Sequence, residues 1–173
     1  MEMIRTERLI IRRITEDDWR FIQSIWMDAA TTEFAQYDKP NILDDDSVRK
    51  RIQEWASYID STEHIFYVVC LQNTAIGYVT FNVRENGYEI GYCFHSSYHG
   101  QGYAKESIAA LIDKMREQGV SRITAGTALE NTPSVNLLES LDFKQIGTEE
   151  VSFYKDSAGC DIIFKGGIYE LLF

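Results

Sequence analysis

The spacing of apolar residues divides the chain into segments of helical and strand period. Arg8 to Ile14 predicts a first strand centred on Leu9, Ile10 and Ile11. Thr15 is placed to cap a helix, and Glu16, Asp17 and Asp18 fill its first turn, where negative charge suits the helix dipole. Trp19, Ile22, Ile25 and Trp26 give that helix one apolar face. After a polar connection through Pro40 and Asn41, the acidic run Asp44-Asp45-Asp46 precedes a second helix, with Val48, Ile52, Trp55 and Ile59 at helical spacing.

The pattern then turns to strands. Ile65 to Leu71 is a near-continuous apolar run, Gln72-Asn73 turns into Ala75 to Val83, and Asn86-Gly87 is a hairpin signal leading into Tyr88 to Phe94. These three segments predict an antiparallel meander. A glycine-bearing turn, His99-Gly100-Gln101-Gly102, opens a helix lined by Ala104, Ile108, Leu111, Ile112 and Met115, with Gly119 placed to end it. Arg122 to Leu129 reads as a strand. Thr132 is placed to cap another helix, with Pro133 at its first position, that carries Leu137, Leu138 and Leu141. Two late strands follow, Lys144 to Lys155 and Asp161 to Leu172. The order β-α-α-β-β-β-α-β-α-β-β mixes hairpins with helical crossovers, so the class is α+β with a mixed sheet. The apolar end, Ile168 to Phe173, is expected to be buried as a strand or at a homodimer contact.

Composition narrows the function classes. The 173 residues suit one domain over 1–173. With 17 basic and 27 acidic residues the net charge is −10, which argues against broad nucleic-acid binding and against docking on an anionic membrane. The acidity either attracts a cationic partner or simply aids solubility. Cys70, Cys93 and Cys160 are odd in number and widely spaced, without a CxxC pair, so neither a disulfide framework nor a metal site is expected. The opening segment is too charged for a signal peptide, and no apolar run approaches the ~20 residues of a membrane span. The expected location is cytoplasmic.

Gly100-Gln101-Gly102-Tyr103-Ala104 lies between a strand and a helix start. Helix N-termini carry unpaired N–H groups and partial positive charge, and glycines let a phosphate approach them. The segment is therefore either a plain turn or an anion site. It lacks the Gly-Lys-Ser/Thr of a P-loop and the third glycine of a dinucleotide fingerprint.

At these residues the sequence resembles the GNAT superfamily of acyl-CoA N-acyltransferases, and within it the ribosomal-protein N-terminal acetyltransferase (RimJ/RimL) branch. Three stretches carry the resemblance: Thr6-Glu7-Arg8-Leu9-Ile10-Ile11-Arg12; Glu89-Ile90-Gly91-Tyr92 through Gly100 to Glu106; and Asn131-Thr132-Pro133-Ser134 through Leu137 to Phe143. The resemblance implies a twisted mixed sheet of about seven strands with about four helices, splayed between its fourth and fifth strands, with acetyl-CoA as cosubstrate. It implies that backbone groups near Cys93, Phe94 and His95 pair with the pantetheine arm. The N–H groups from His99 through Gly100, Gln101, Gly102 and Tyr103 to Ala104 hold the pyrophosphate, and Asn131 and Ser134 lie near the pantetheine and the sulfur. Three positions depart from the pattern: Ser97 replaces an Arg or Gln, Leu138 stands where many members have a tyrosine acid, and Asp142-Phe143 replaces Gly-Phe.

The implied reaction is direct transfer of acetyl to a primary amine in a ternary complex. A lysine-like amine, with a pKa near ~10.4, must first lose a proton. Alternation puts Glu89, Gly91, Cys93 and His95 on one strand face, and the glycine leaves space beside Glu89. Glu89 is the first candidate base; otherwise it faces solvent or pairs with a neighbouring cation. His95 and His99 are secondary candidates. Cys93 reads as a small strand residue rather than a nucleophile. The Ser134 hydroxyl is placed to donate to the leaving sulfur, or is an ordinary first-turn residue. Acceptor choice is expected in the first two helices and their loop, at Trp26, Tyr37 and Trp55 with Asp44, Asp45 and Asp46. Candidate acceptors are a protein N-terminus or a small-molecule amine. The rival from another class is a non-catalytic acyl-CoA sensor on the same fold.

Overall fold

A computed structural model describes residues 3–173. Its elements are β1 (Met3–Arg5), β2 (Leu9–Arg13), α1 (Trp19–Ala29), α2 (Asp45–Ser57), β3 (His64–Leu71), β4 (Thr74–Arg84), β5 (Gly87–Phe94), α3 (Tyr103–Glu117), β6 (Arg122–Ala128), α4 (Thr132–Ser140), β7 (Lys144–Lys155) and β8 (Asp161–Leu172). The strands form one sheet in the order β1-β2-β3-β4-β5-β6-β8-β7. Every neighbouring pair is antiparallel except β5 and β6. The eighth strand, beyond the expected seven or so, is Met3–Arg5, which pairs with β2 through Ile4 and Ile11.

Each face of the sheet has its own core. Ile65, Tyr67 and Val69 of β3 join Leu9, Ile11, Ile108, Leu111 and Met115 on the α3 and α4 side. The alternate residues Phe66, Val68 and Cys70 join Ile22, Ile25, Trp26, Val48 and Ile52 on the α1 and α2 side. Burial on both faces explains why β3 reads as an unbroken apolar run. Neither helix layer reaches membrane dimensions: no helix among the described residues is long and apolar enough to cross a bilayer.

Local signals set the boundaries. Thr15 precedes a short 3-10 turn, Glu16–Asp18, before α1, and its N–H donates to the Asp18 carboxylate at 2.7 Å. Asp18 is buried and takes both ends of the Arg12 guanidinium, at 2.6 and 2.8 Å. Asp44 caps α2 by accepting from the Ser47 N–H at 3.0 Å. Helix α2 ends at Ser57, which leaves Ile59 outside it and exposed rather than on its apolar face. Gly119 ends α3 at φ +83°, with Val120 N–H returning to the Met115 carbonyl at 3.1 Å.

The hairpin before β5 turns one residue earlier than its sequence signal. Arg84 pairs with Gly87, so Glu85 and Asn86 form the loop. Gly87 is needed for another reason: at φ +145°, a Cβ there would lie 2.2 Å from the Arg122 carbonyl oxygen of β6. The C-terminal strand is part buried as expected, with Tyr169 and Leu171 in the core, but Leu172 remains exposed.

Candidate active site

The parallel seam between β5 and β6 is short. Only Tyr88↔Ile123 and Glu89↔Thr124 pair; beyond them β5 continues to Phe94 and β6 to Ala128 without a shared ladder. Each strand stays paired on its other edge, β5 with β4 up to Phe94↔Gly77 and β6 with β8 up to Ala128↔Gly166. The result is a wedge bordered by two strand edges, suited to an extended ligand whose amides complete the pairing.

The turn at the wide end of the wedge is built around two left-handed residues. Gly100 has φ +71° and Gly102, the N-cap of α3, has φ +81°. No atom lies within 4 Å of where a Gly100 Cβ would stand, so the approach to the backbone is open there. Such a cradle, at the start of a 15-residue helix, suits a phosphate. Several side chains fix its shape. Asp28, near the end of α1, accepts from the Ser96 N–H and hydroxyl, both at 2.7 Å. Burial raises the Asp28 pKa, but the Ser96 bonds and the nearby His95 and His99 outweigh it and hold the carboxyl below its ordinary value.

Both histidines have local partners. His95 Nδ1 accepts from the Ser97 N–H at 3.3 Å and lies 3.8 Å from Asp28. His99 Nε2 is 2.8 Å from the Phe94 carbonyl, which can only accept, so the proton sits on Nε2. Gln101 donates to the Ser97 carbonyl at 3.2 Å.

Across the wedge, the cap of α4 is Asn131 rather than Thr132, which is the first helical residue: the Asn131 side chain accepts from the Ser134 N–H at 3.3 Å. This places the Ser134 hydroxyl 2.8 Å from the Tyr92 hydroxyl of β5. Burial first, against the weaker pull of Ser134, pushes the Tyr92 pKa up to about 12, so the phenol stays protonated at neutral pH. Tyr92 belongs to a stretch that carries the resemblance but has no assigned role there, and strand alternation puts it on the face away from Glu89. Leu138 is buried in the core on the α3 and α4 side, the same core against which Tyr92 packs.

On the α1 and α2 side, a cavity of about 340 Å³ meets the wedge at Gly91 and Tyr92. Trp26, Trp55, Phe66 and Tyr78 form its aromatic wall. Trp55 stacks on Phe66 at 4.6 Å and meets Trp26 edge-on at 5.8 Å. Trp26 Nε1 donates to the Tyr78 hydroxyl at 2.9 Å. Gly91 leaves no room for a side chain: a Cβ there would lie 2.9 Å from Thr80 Oγ1, which also lines the cavity.

The expected acceptor residues separate. Trp26 and Trp55 line the cavity, whereas Tyr37 packs edge-on against Phe164 of β8 at 5.2 Å. The acidic run serves the helix: Asp44 is the cap, Asp45 accepts from Gln23 at 2.8 Å, and Asp46 is exposed. The carboxylate near the cavity is instead Asp38, which sequence reasoning passed over. Although solvent reaches it, crowding by the protein desolvates its carboxyl and raises its pKa. Its charge acts on Tyr78, Tyr92 and Cys93. Burial, then the charges of Asp38 and Asp28, push the Cys93 thiol up to about 12. Glu89 stands at the closed end of the wedge, opposite Asn82 of the cavity lining, and accepts from Arg84 Nε at 2.7 Å.

Residues 8–144 match the acetyltransferase (GNAT) domain family. The uncharacterised N-acetyltransferase p20 of Bacillus licheniformis is 29% identical over 161 residues, spanning 85% of this chain and 85% of that protein. The fold superposes on a Salmonella typhimurium acetyl transferase that modifies the N-terminal serine of the 50S ribosomal subunit protein L7/L12, with TM-score 0.85 at 20% identity over 99% of each chain. It also superposes on the microcin C7 self-immunity acetyltransferase MccE, solved with acetyl-CoA and AMP, with TM-score 0.80 at 14% identity, covering 97% of this chain and 94% of that one.

Proposed function

Because this chain belongs to the GNAT acetyltransferase family, we propose that it transfers an acetyl group from acetyl-CoA to a primary amine by direct attack, with both substrates bound at once. The observation that carries this reading is the wedge between β5 and β6. It connects a glycine cradle suited to phosphate with an aromatic cavity suited to an acceptor. The donor's extended amide-bearing arm fits between the strand edges, with its phosphates at Gly100 to Ala104. MccE, of similar fold, was solved with acetyl-CoA, which supports the choice of donor.

The reaction needs a neutral amine, and only about one in 2,500 lysine-like amines is neutral at pH 7. Glu89 takes the amine proton through water, and the nitrogen attacks the thioester carbonyl. The C–N bond forms, the C–S bond breaks, the Ser134 hydroxyl, held by Tyr92, donates a hydrogen bond to the leaving sulfur, and the second nitrogen proton passes through solvent to the thiolate. The products are an amide and a free thiol. Direct attack is favoured because the Cys93 thiol, raised to about 12, is almost wholly protonated at neutral pH and therefore a poor acyl carrier. The acceptor classes are a protein N-terminus, as in the Salmonella enzyme of similar fold, and a small-molecule amine.

Thermal unfolding with acetyl-CoA, CoA, ATP and NADH, each in equal excess, tests the donor. A ligand at a hundredfold excess over its dissociation constant stabilises the folded state by about 2.7 kcal/mol. Acetyl-CoA and CoA are expected to raise Tm, and Gly102→Glu to abolish the rise. No shift with either sinks the reading. Release of free thiol with N-terminal peptides and with polyamines then identifies the acceptor; binding without release against every amine points to the sensor instead.

A further inference from the structure

We infer that Arg8 is a phosphate-binding residue of the donor site, its Nη2 edge facing the open side of Gly102. Residues 94–104 contain no lysine or arginine, and the whole chain carries a net charge of −10. Backbone N–H groups alone leave most of a multiply charged phosphate chain unneutralised. The structure brings one guanidinium into direct contact with the turn, from 93 residues away in sequence. Arg8 Nη1 donates to the Gln101 carbonyl at 3.0 Å, and Arg8 Nη2 lies 3.3 Å from where a Gly102 Cβ would stand.

The side chain is held in place before any ligand arrives. Arg8 Nε donates to Glu106 at 2.6 Å, its backbone N–H donates to the same carboxylate at 2.9 Å, and Thr6 Oγ1 is also bonded there. The guanidinium plane sits over the Tyr103 ring, 4.5 Å from its centroid. Glu106 thus consumes the Nε edge and Gln101 one Nη1 proton. Of the five N–H groups, both on Nη2 and one on Nη1 have no partner among the described residues. A guanidinium clamped on one edge and free on the other is suited to a phosphate oxygen, because the ordering cost is already met. Lys105, the other nearby cation, is exposed and makes no bond among the described residues.

The inference rests on acetyl-CoA being the donor. Its test compares acetyl-CoA with acetyl-pantetheine, which has the thioester and amides but no nucleotide phosphates. Calorimetric titration of Arg8→Gln with CoA is expected to show affinity weakened about ten- to a hundredfold, the range of a hydrogen bond to a charged group. The preference for acetyl-CoA over acetyl-pantetheine in kcat/KM should fall by a similar factor, and Arg8→Lys should recover part of both. Should Arg8→Gln fold poorly, Arg8→Lys is read with the same pair of donors and should show a smaller loss of preference. Unchanged CoA affinity, or equal loss with both donors, overturns the assignment and leaves Arg8 as a brace of the turn. Failure of the wild-type protein to bind CoA at all sinks the donor reading instead.

Discussion

The Tyr92 and Ser134 hydroxyls lie 2.8 Å apart, joining β5 to the first turn of α4 across the wedge. The two residues are 42 positions apart in sequence, so only the fold makes them a pair. Ser134→Ala and Tyr92→Phe are each expected to lower kcat by about tenfold or somewhat more, at or below the low end for general acids because a thiol leaves easily. The double variant should cost little more than either alone, since both act on the one leaving sulfur. Steady-state thiol release measures this; strictly multiplicative losses would show that the two hydroxyls act separately.

Glu89 and Asp38 compete for the role of base. Glu89→Gln is expected to lower kcat while leaving CoA affinity nearly intact; Asp38→Asn is expected to raise KM for the amine and spare more of kcat. A pH–rate profile of both variants separates them. Loss of the acidic limb in Asp38→Asn but not in Glu89→Gln would reassign the base.

Asp38 also makes a prediction about stability. Its folded-state pKa is raised by desolvation. A carboxyl raised in the folded state binds its proton more tightly there, so its burden on stability grows as pH rises from the ordinary carboxylate pKa through the folded one. Asp38→Asn should therefore have a higher Tm than the parent at pH 7, with the difference vanishing near pH 3 (roughly one unit below the free carboxylate value). An equal Tm difference at both pH values would refute the raised pKa.

Asp18 behaves in the opposite sense. Burial raises its pKa, but the Arg12 and Thr15 bonds overcome this and hold it below its ordinary value. Its contribution is present above the unfolded carboxylate pKa and is lost as pH falls through the lower folded value. Asp18→Ala should cost about 3 kcal/mol at neutral pH, because Arg12 is left half buried without its partner. Denaturant unfolding of both proteins across the acid range checks the size and the convergence.

Cys93 should be dispensable as a nucleophile. Cys93→Ala keeps the backbone of β5 and is expected to retain turnover of the same order. Mass spectrometry of the wild-type protein after mixing with acetyl-CoA should find no acetyl group on Cys93.

Much of this was legible in the residues because it depends on short-range rules. The β3 run, Gly119 and the Gly100–Gly102 turn are each set by a few neighbours. The wedge was expected only by family resemblance, since which strand edges stay unpaired is decided by sheet assembly. Asp38 was missed because its environment comes from a loop lying near β4 and β5, while the more conspicuous Asp44–Asp46 run is engaged at a helix start. Ile59 kept the helical spacing but fell past the end of α2. Glu85 and Asn86 became the turn because Gly87 was required where β5 meets Arg122.

That meeting point sets how the two halves of the sheet join. Gly87 and Arg122 pinch the strands together at one end of the seam, and two residue pairs are all that zip it. On either side, β1–β5 and β6–β8 are continuous antiparallel ribbons. The two halves therefore share little backbone pairing, and it is the α3-side core, with Phe81 and Ile90 on one half and Ile123 and Tyr169 on the other, that runs across the seam. On the proposed reading, a donor lying in the gap would act as a temporary ninth strand, stitched in for each turnover and pulled out afterwards. Amide exchange along the facing edges of Ile90–Phe94 and Ala125–Ala128 should slow when the donor binds and quicken when the product leaves.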